Sequence, residues 1–334
     1  MFFQRRARAS GNFSIEKMFD DIRAYLSRDI EATVSYASRY SNGFFSRIWI
    51  MIEAAFRQGD VNHVTGDVHF LTLLLNKQKT ILTIHDCGFM KTASGLAYYI
   101  LLYGWLRWPV SRSRWITVVS ASTKRDLLTY VDCPPDKIKV VPTNISEQFT
   151  YTPGDFNEDR PVILQIGTAF NKNLTNLVKA LEGVTCHLVV VGKLSEQQER
   201  LLSECRINYS NRYNLTFREI VEAYQSADIV TVVSTLEGFG MPIIEAQTVG
   251  RPVVTSNISS MPEVAGNGAC LVDPFNIDAI KEGILKVVRD RDYRDKLVSA
   301  GIENAKKYKA EKIAHQYYQL YQEVYRANTT DEQV

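Results

Sequence analysis

What this 334-residue chain lacks narrows its class before any motif is read. No apolar run approaches the roughly 18 residues of a membrane-spanning helix, and the longest, residues 96–106, falls well short. The N-terminus, MFFQRRARAS, carries arginines with no apolar stretch behind them and does not read as a secretory signal. Cysteines are few. Cys87, Cys133, Cys186, Cys205 and Cys270 are odd in number and scattered, which suits neither a disulfide framework nor a zinc site and points to a reducing compartment. Metal-ligand spacing is missing as well: Asp290-Arg291-Asp292 sits in a polar helical stretch and reads as solvated surface, so neither a metal nor a cofactor is expected. Charge of one sign is also lacking, with 39 Lys and Arg against 37 Asp and Glu, too balanced for a nucleic-acid partner. That balance hides an asymmetry. Residues 1–150 hold 19 basic against 13 acidic side chains and the remainder 20 against 24, so the first half attracts anions.

What is present is a regular alternation. Short β-branched runs at residues 32–37, 61–65, 80–85, 115–120 and 138–142 are followed by others at 162–167, 186–192, 229–234, 252–256 and 269–272. Most are continuously apolar, the mark of strands covered on both faces and hence of parallel sheets. Amphipathic stretches such as 174–181 and 277–289 lie between them. Strands interleaved with helices predict an α/β protein of two Rossmann-like, doubly wound parallel-sheet domains. Turn residues at Tyr151-Thr152-Pro153-Gly154-Asp155 set the boundary, giving residues 1–152 and 153–317. Such sheets bind ligands outside the carboxyl ends of their strands.

The most informative stretch is residues 234–252, STLEGFGMPIIEAQTVGRP. A strand runs into a Gly238-Phe239-Gly240-Met241-Pro242 turn and then a helix, with Pro242 suited to the first helical position. The glycines permit positive φ and close approach of a ligand to the backbone. The helix start presents unpaired N–H groups and a partial positive charge, a ready phosphate site. Glu245 alone would read as a dipole partner in the first turn. With Glu237 on the other side of the turn, the pair suits a sugar nucleotide: a diphosphate between two polyhydroxylated rings, each gripped by an acceptor-only carboxylate.

Glu237-Gly-Phe-Gly-Met-Pro-x-x-Glu245-Ala246 with Gly250-Arg-Pro-Val-Val254 resembles the E-x7-E signature of the GT4 family of retaining glycosyltransferases, which have the GT-B fold. The likeness continues through Met261-Pro-Glu-Val-Ala-Gly266 and Leu271-Val-Asp-Pro274. Upstream, Ile166-Gly-Thr and Asn171-Lys-Asn-Leu174 are similar to the family's loop with a phosphate-binding lysine. In the first half, Thr83-Ile-His-Asp86, Val119-Ser-Ala-Ser-Thr-Lys124 and Lys137-Ile-Lys-Val-Val-Pro142 resemble it too. The resemblance implies that Glu237 contacts the donor sugar, Glu245 the ribose, and the N–H groups of Phe239, Gly240 and Met241 the phosphate. Gly167 would open the loop, Lys172 would neutralise the leaving diphosphate, and His85 would face the acceptor. It also implies that the last helix, with residues 318–334, packs back onto the first domain across a central cleft. Thr168 stands where many relatives carry an arginine, leaving Lys172 as the loop's main cation.

The plainer readings are a core-satisfied histidine for His85 and a surface lysine for Lys172. Asp86 reads as a turn residue, and Gly11-Asn12 as either a glycine loop for the acceptor or a plain helix entry. From Cys87 through Arg125 there is no Asp or Glu, whereas there are six Lys and Arg. Residues 89–115 therefore suit either an anionic membrane surface on the cytoplasmic leaflet or a core helix with arginines on its rim. The expected function is metal-independent transfer, with retention, from a nucleotide-diphosphate sugar to a saccharide or lipid-linked saccharide, of the kind used in bacterial cell-surface polysaccharide synthesis. A nucleotide-sugar epimerase and a non-catalytic sugar-nucleotide binder share the architecture.

Overall fold

The computed structural model describes residues 1–5 and 14–331. The chain forms two compact units, residues 1–144 with the C-terminal helix, and residues 145–309. Each contains one six-stranded, all-parallel sheet.

In the first unit the strands are β1 (Phe2–Gln4), β2 (Val34–Tyr36), β3 (Asn62–Val64), β4 (Thr80–Ile84), β5 (Trp115–Val118) and β6 (Ile138–Val140), in spatial order β2-β1-β3-β4-β5-β6. Helices α1 (Ser14–Ala24), α2 (Phe44–Ala55), α3 (Gly88–Thr92), α4 (Gly95–Leu101), α5 (Trp108–Ser111) and α6 (Ala121–Tyr130) accompany them. The last residue of α4 runs into a π-helical turn, Leu102–Arg107, before α5. Strand β1 is a difference from the sequence reading. Its three residues precede an arginine-rich stretch and carry no alternation, yet they pair with both Val34 and His63 near the sheet's middle. Only the fold supplies those partners.

In the second unit β7 (Val162–Ile166), β8 (His187–Val191), β9 (Tyr209–Arg212), β10 (Ile229–Val232), β11 (Val253–Ser256) and β12 (Cys270–Val272) lie in the order β12-β11-β10-β7-β8-β9. Helices α7 (Leu174–Ala180), α8 (Glu196–Glu204), α9 (Phe217–Gln225), α10 (Met241–Val249), α11 (Met261–Ala265), α12 (Ile277–Arg289) and α13 (Arg291–Ala305) connect them. The edge strand β9, YSNR, also differs from the sequence reading: it is polar, because an edge strand need not be apolar. Leu164, Leu188, Val190, Val230 and Val254 are completely buried, as expected of strands covered on both faces.

The final helix, α14 (Ala310–Asp331), belongs to the first unit. Ile313, Ala314, Tyr317, Tyr321 and Val324 pack with Phe2, Phe19 and Ile22, and the Tyr321 hydroxyl lies 2.7 Å from His63 Nδ1. The second unit begins at Ile145, several residues before the turn cluster at Tyr151. The chain there is already committed to it, since Ile145 bridges Lys309 and Phe149 packs edge-on against Phe217 and Tyr224.

Candidate active site

In the second unit the direction of winding changes between β7 and β10, which are neighbours in space while their following connections run to opposite sides. A crevice at such a switch point is the default ligand site of an open parallel sheet. The two segments expected to carry chemistry both leave the sheet there. Gly167 through Lys172 follows β7, and Ser234 through Glu237 follows β10.

The first loop is bound tightly. Gly167 has φ +91°, and a Cβ there would lie 3.0 Å from Lys172 Cγ, so glycine serves both the backbone and the lysine stem that crosses it. Buried Gln165 lies beneath, donating to the Lys172 carbonyl at 3.1 Å and accepting from Thr231 Oγ1 at 3.2 Å. Asn173, in the left-handed region at φ 57°, starts α7, and its side-chain amide donates to the carbonyls of Val233 and Pro274. Asn171 ties the loop to the second segment, donating to the Leu236 carbonyl and accepting from Thr235 N–H. Thr168 Oγ1 donates to the Lys193 carbonyl at 2.7 Å, a structural role in place of a cation.

These links bring Lys172 Nζ to 2.7 Å from Glu237 Oε1, which also accepts from Ser234 Oγ at 2.7 Å. Both side chains are largely covered, with 21% and 11% of their surfaces exposed, so the pair is less screened than a surface ion pair. Ser259, held at φ 60°, and Ser260 fasten the turn from the far side. Both hydroxyls donate to the Glu237 carbonyl, Ser260 also reaching that of Phe239. Neither serine signalled this role in the sequence.

The turn ends at Gly240, the N-cap of α10, with φ +101°. The helix starts at Met241, one residue earlier than read from the sequence, which makes Pro242 its second residue. The amide that proline lacks is still one that no helical carbonyl could have reached. Phe239 is buried and packs edge-on against Tyr308, so this residue offers its backbone while its ring anchors the turn. Gly238, Gly240 and Met241 complete the start of the nine-residue helix, whose N-terminal dipole end favours an anion.

Glu245 lies on the first turns of α10. Its Oε2 accepts from the Tyr224 hydroxyl at 2.5 Å. The residue keeps some exposure, yet burial of the carboxyl raises its pKa to about 7, opposed by the Tyr224 hydrogen bond and the positive charge of Lys172. Burial likewise pushes the Tyr224 phenol well above its usual value, with Glu245 adding to the effect. Sequence reasoning missed Tyr224, because its position on α9 relates to Glu245 only through packing. The Gly250-Arg251-Pro252 part of the motif has a structural role here: Arg251 is buried and donates to the carbonyls of Thr152 and Gln225.

His85 belongs to the first unit, just past β4, where Nε2 lies 2.8 Å from the Thr65 carbonyl. It is half-buried beside Phe19. Asp86 accepts from Gly88 N–H at 2.7 Å, as a turn residue does. Gly11 and Asn12 lie outside the described residues. Residues 89–115 divide between two faces: Met90, Leu102, Leu106 and Val110 join the core, whereas Leu96, Tyr99, Ile100, Tyr103 and Trp108 are exposed. Among the described residues no helix is long and apolar enough to cross a membrane, and no three His, Cys, Asp or Glu side chains gather to hold a metal.

Two Rossmann-like units, the second carrying a glycine turn flanked by Glu237 and Glu245 at its switch point, make up a GT-B fold. The chain belongs to the group 1 glycosyltransferases: residues 150–307 match the family described as Glycosyl transferases group 1, and residues 22–149 that described as Glycosyltransferase Family 4. It is 29% identical over 226 residues to the O-antigen chain mannosyltransferase B of Escherichia coli, covering 60% of this chain and 58% of that protein. The O-antigen chain mannosyltransferase RfbU of Salmonella typhimurium is 25% identical over 237 residues, 68% of this chain and 65% of its own. The matches thus span about three-fifths of these relatives. Among solved structures, the sucrose-phosphate synthase of Thermosynechococcus elongatus superposes with a TM-score of 0.79 at 16% identity, over 98% of both chains. Anabaena HepE, solved with UDP and glucose, gives 0.78 at 14% identity, over 96% of this chain and 98% of its own.

Proposed function

We propose that the protein is a retaining, metal-independent glycosyltransferase that moves a sugar from a nucleotide-diphosphate sugar to a saccharide or lipid-linked saccharide in bacterial cell-surface polysaccharide synthesis. The observation that carries this is the Lys172–Glu237 pair at the start of α10. Cation, carboxylate and helix N-terminus converge where a diphosphate and its sugar would lie side by side.

In this reading the diphosphate takes the amides of Phe239, Gly240 and Met241 and competes with Glu237 for the Lys172 ammonium. Glu237, released, accepts hydroxyls of the transferred sugar. Glu245 accepts the ribose diol, held in place by Tyr224. The bond from the sugar's anomeric carbon to the phosphate oxygen breaks as that carbon bonds to the acceptor oxygen on the same face. The acceptor proton passes to the departing phosphate, whose charge Lys172 and the helix dipole stabilise. His85 serves on the acceptor side. The exposed apolar and cationic side chains of residues 89–115 would hold the enzyme on the anionic cytoplasmic leaflet, within reach of a lipid-linked acceptor.

The test is a thermal-shift series across nucleotide sugars, because a ligand that binds only the folded protein raises its stability by mass action. A selective shift with one base and sugar, absent in Glu245→Ala, is expected. No shift with any nucleotide sugar would overturn the assignment. Conversion of the donor without an acceptor would favour the epimerase reading, and binding without turnover the non-catalytic one.

A further inference from the structure

Helix α2, FFSRIWIMIEAA, turns Ile50 and Ala54 into the core of the first unit. Its other side carries Phe45, Trp49 and Ile52, continued by Phe56 just past the helix. Steps of four, three and four residues put these side chains on one face. All four are exposed, Phe45 by 85% and Phe56 by 87%, and so is Phe44 beside them. A row of large apolar side chains left in water on a single helix marks an interaction surface.

Charge identifies what covers it. Between Glu31 and Asp60 the only acid is Glu53, and Arg57 neutralises it at 2.8 Å. Cations border the row: the Arg39 guanidinium sits 4.7 Å over the Trp49 ring, and that of Arg47 lies 4.6 Å over the ring of Trp105. The second contact joins α2 to the π-helical turn 102–107, within the acid-free stretch whose Leu96, Tyr99, Ile100, Tyr103 and Trp108 are also exposed. Aromatic and aliphatic side chains, flanking arginines and no unneutralised acid match the boundary between anionic headgroups and acyl chains.

We propose that α2 is a membrane-docking element of this enzyme. Phe44, Phe45, Trp49, Ile52 and Phe56 enter an anionic bilayer surface, with Arg39 and Arg47 at the level of the phosphates. This rests on the membrane part of the functional reading and extends it, since α2 becomes the inserting face and residues 89–115 the neighbouring one.

The experiment is co-sedimentation of the full chain with vesicles of phosphatidylcholine, alone or mixed with phosphatidylglycerol, at low and high salt; it needs neither donor nor acceptor. The wild type is expected to bind the mixed vesicles at low salt. Phe45→Ser/Phe56→Ser should lower the partition coefficient at least about tenfold, whereas Phe45→Leu/Phe56→Leu should stay within roughly twofold of wild type. Both variants should keep the wild-type unfolding midpoint, because the replaced rings lie in water. Failure of the wild type to bind mixed vesicles at low salt overturns the proposal. So does wild-type binding by the serine variant: if Arg107→Glu/Arg112→Glu/Arg114→Glu alone abolishes binding, docking belongs to residues 89–115. A wild type that is dimeric without lipid, with the serine variant monomeric, also overturns it and assigns the face to a second copy of the chain.

Discussion

Lys172 and Glu237, 65 residues apart in the chain, meet at 2.7 Å because β7 and β10 are adjacent strands and both loops leave from their carboxyl ends. In the proposed reaction this pair supplies the cation that the leaving diphosphate needs. Lys172→Ala should therefore cut turnover by about 10²–10³-fold, the usual cost of removing one electrostatic stabiliser of a developing anion. Lys172→Arg should retain much more, since charge is the requirement. Activity should also persist in EDTA; loss on chelation, restored by magnesium or manganese, would show that a metal shares the role.

Glu237 and Glu245 should separate under mutation. Glu245→Ala is expected to weaken donor and free nucleoside diphosphate alike, by about 1–3 kcal/mol for a lost charged hydrogen bond. Glu237→Ala should spare the free nucleotide, since its removal also frees Lys172, while turnover falls. Titration calorimetry with the nucleoside diphosphate reads the difference, and equal losses in both variants would dissolve the division of labour.

The raised pKa of Glu245, about 7, predicts a pH dependence of donor binding. In the proposed role the carboxylate would accept both ribose hydroxyls, whereas protonation spends one oxygen as a donor. Affinity for the nucleotide sugar should rise from pH 6 to 8 by up to about tenfold, following the ionised fraction, and Glu245→Gln should flatten the profile. Stability moves the other way. The folded protein holds this proton where the unfolded chain has released it, so the contribution is full below the ordinary pKa of 4.5 and is lost as pH rises toward 7. Denaturant midpoints of wild type and Glu245→Gln across that window measure it.

Gly167→Ala should be costly at a single methyl. At φ +91° a side chain is strained, by about 1–2 kcal/mol, and the added carbon would press on Lys172 Cγ. The expected result is a lower unfolding midpoint together with a turnover loss approaching that of Lys172→Ala. Full activity in a destabilised variant would show that the lysine stem need not cross this glycine.

The two-sheet α/β architecture is legible in the amino-acid sequence, because strands covered on both faces are mostly apolar throughout. Of the twelve strands among the described residues, ten fall on short β-branched runs, most of them continuously apolar; β1 lies against an arginine-rich stretch and β9 is polar at an edge, so neither stands out. Glu237, Gly240 and Glu245 stand out as candidates because a glycine turn and its flanking carboxylates lie close together along the chain, whereas Gly167 and Lys172 are candidates only through the family resemblance. The remaining contacts depend on how the elements pack. The pairing of Lys172 with Glu237, the Tyr224 hydroxyl on Glu245, the Gln165 prop and the Ser259–Ser260 fastening all join residues from separate elements. The exposed row on α2 is of the same kind: an apolar helix reads alike whether it faces core or solvent, and only packing reveals which side is left uncovered.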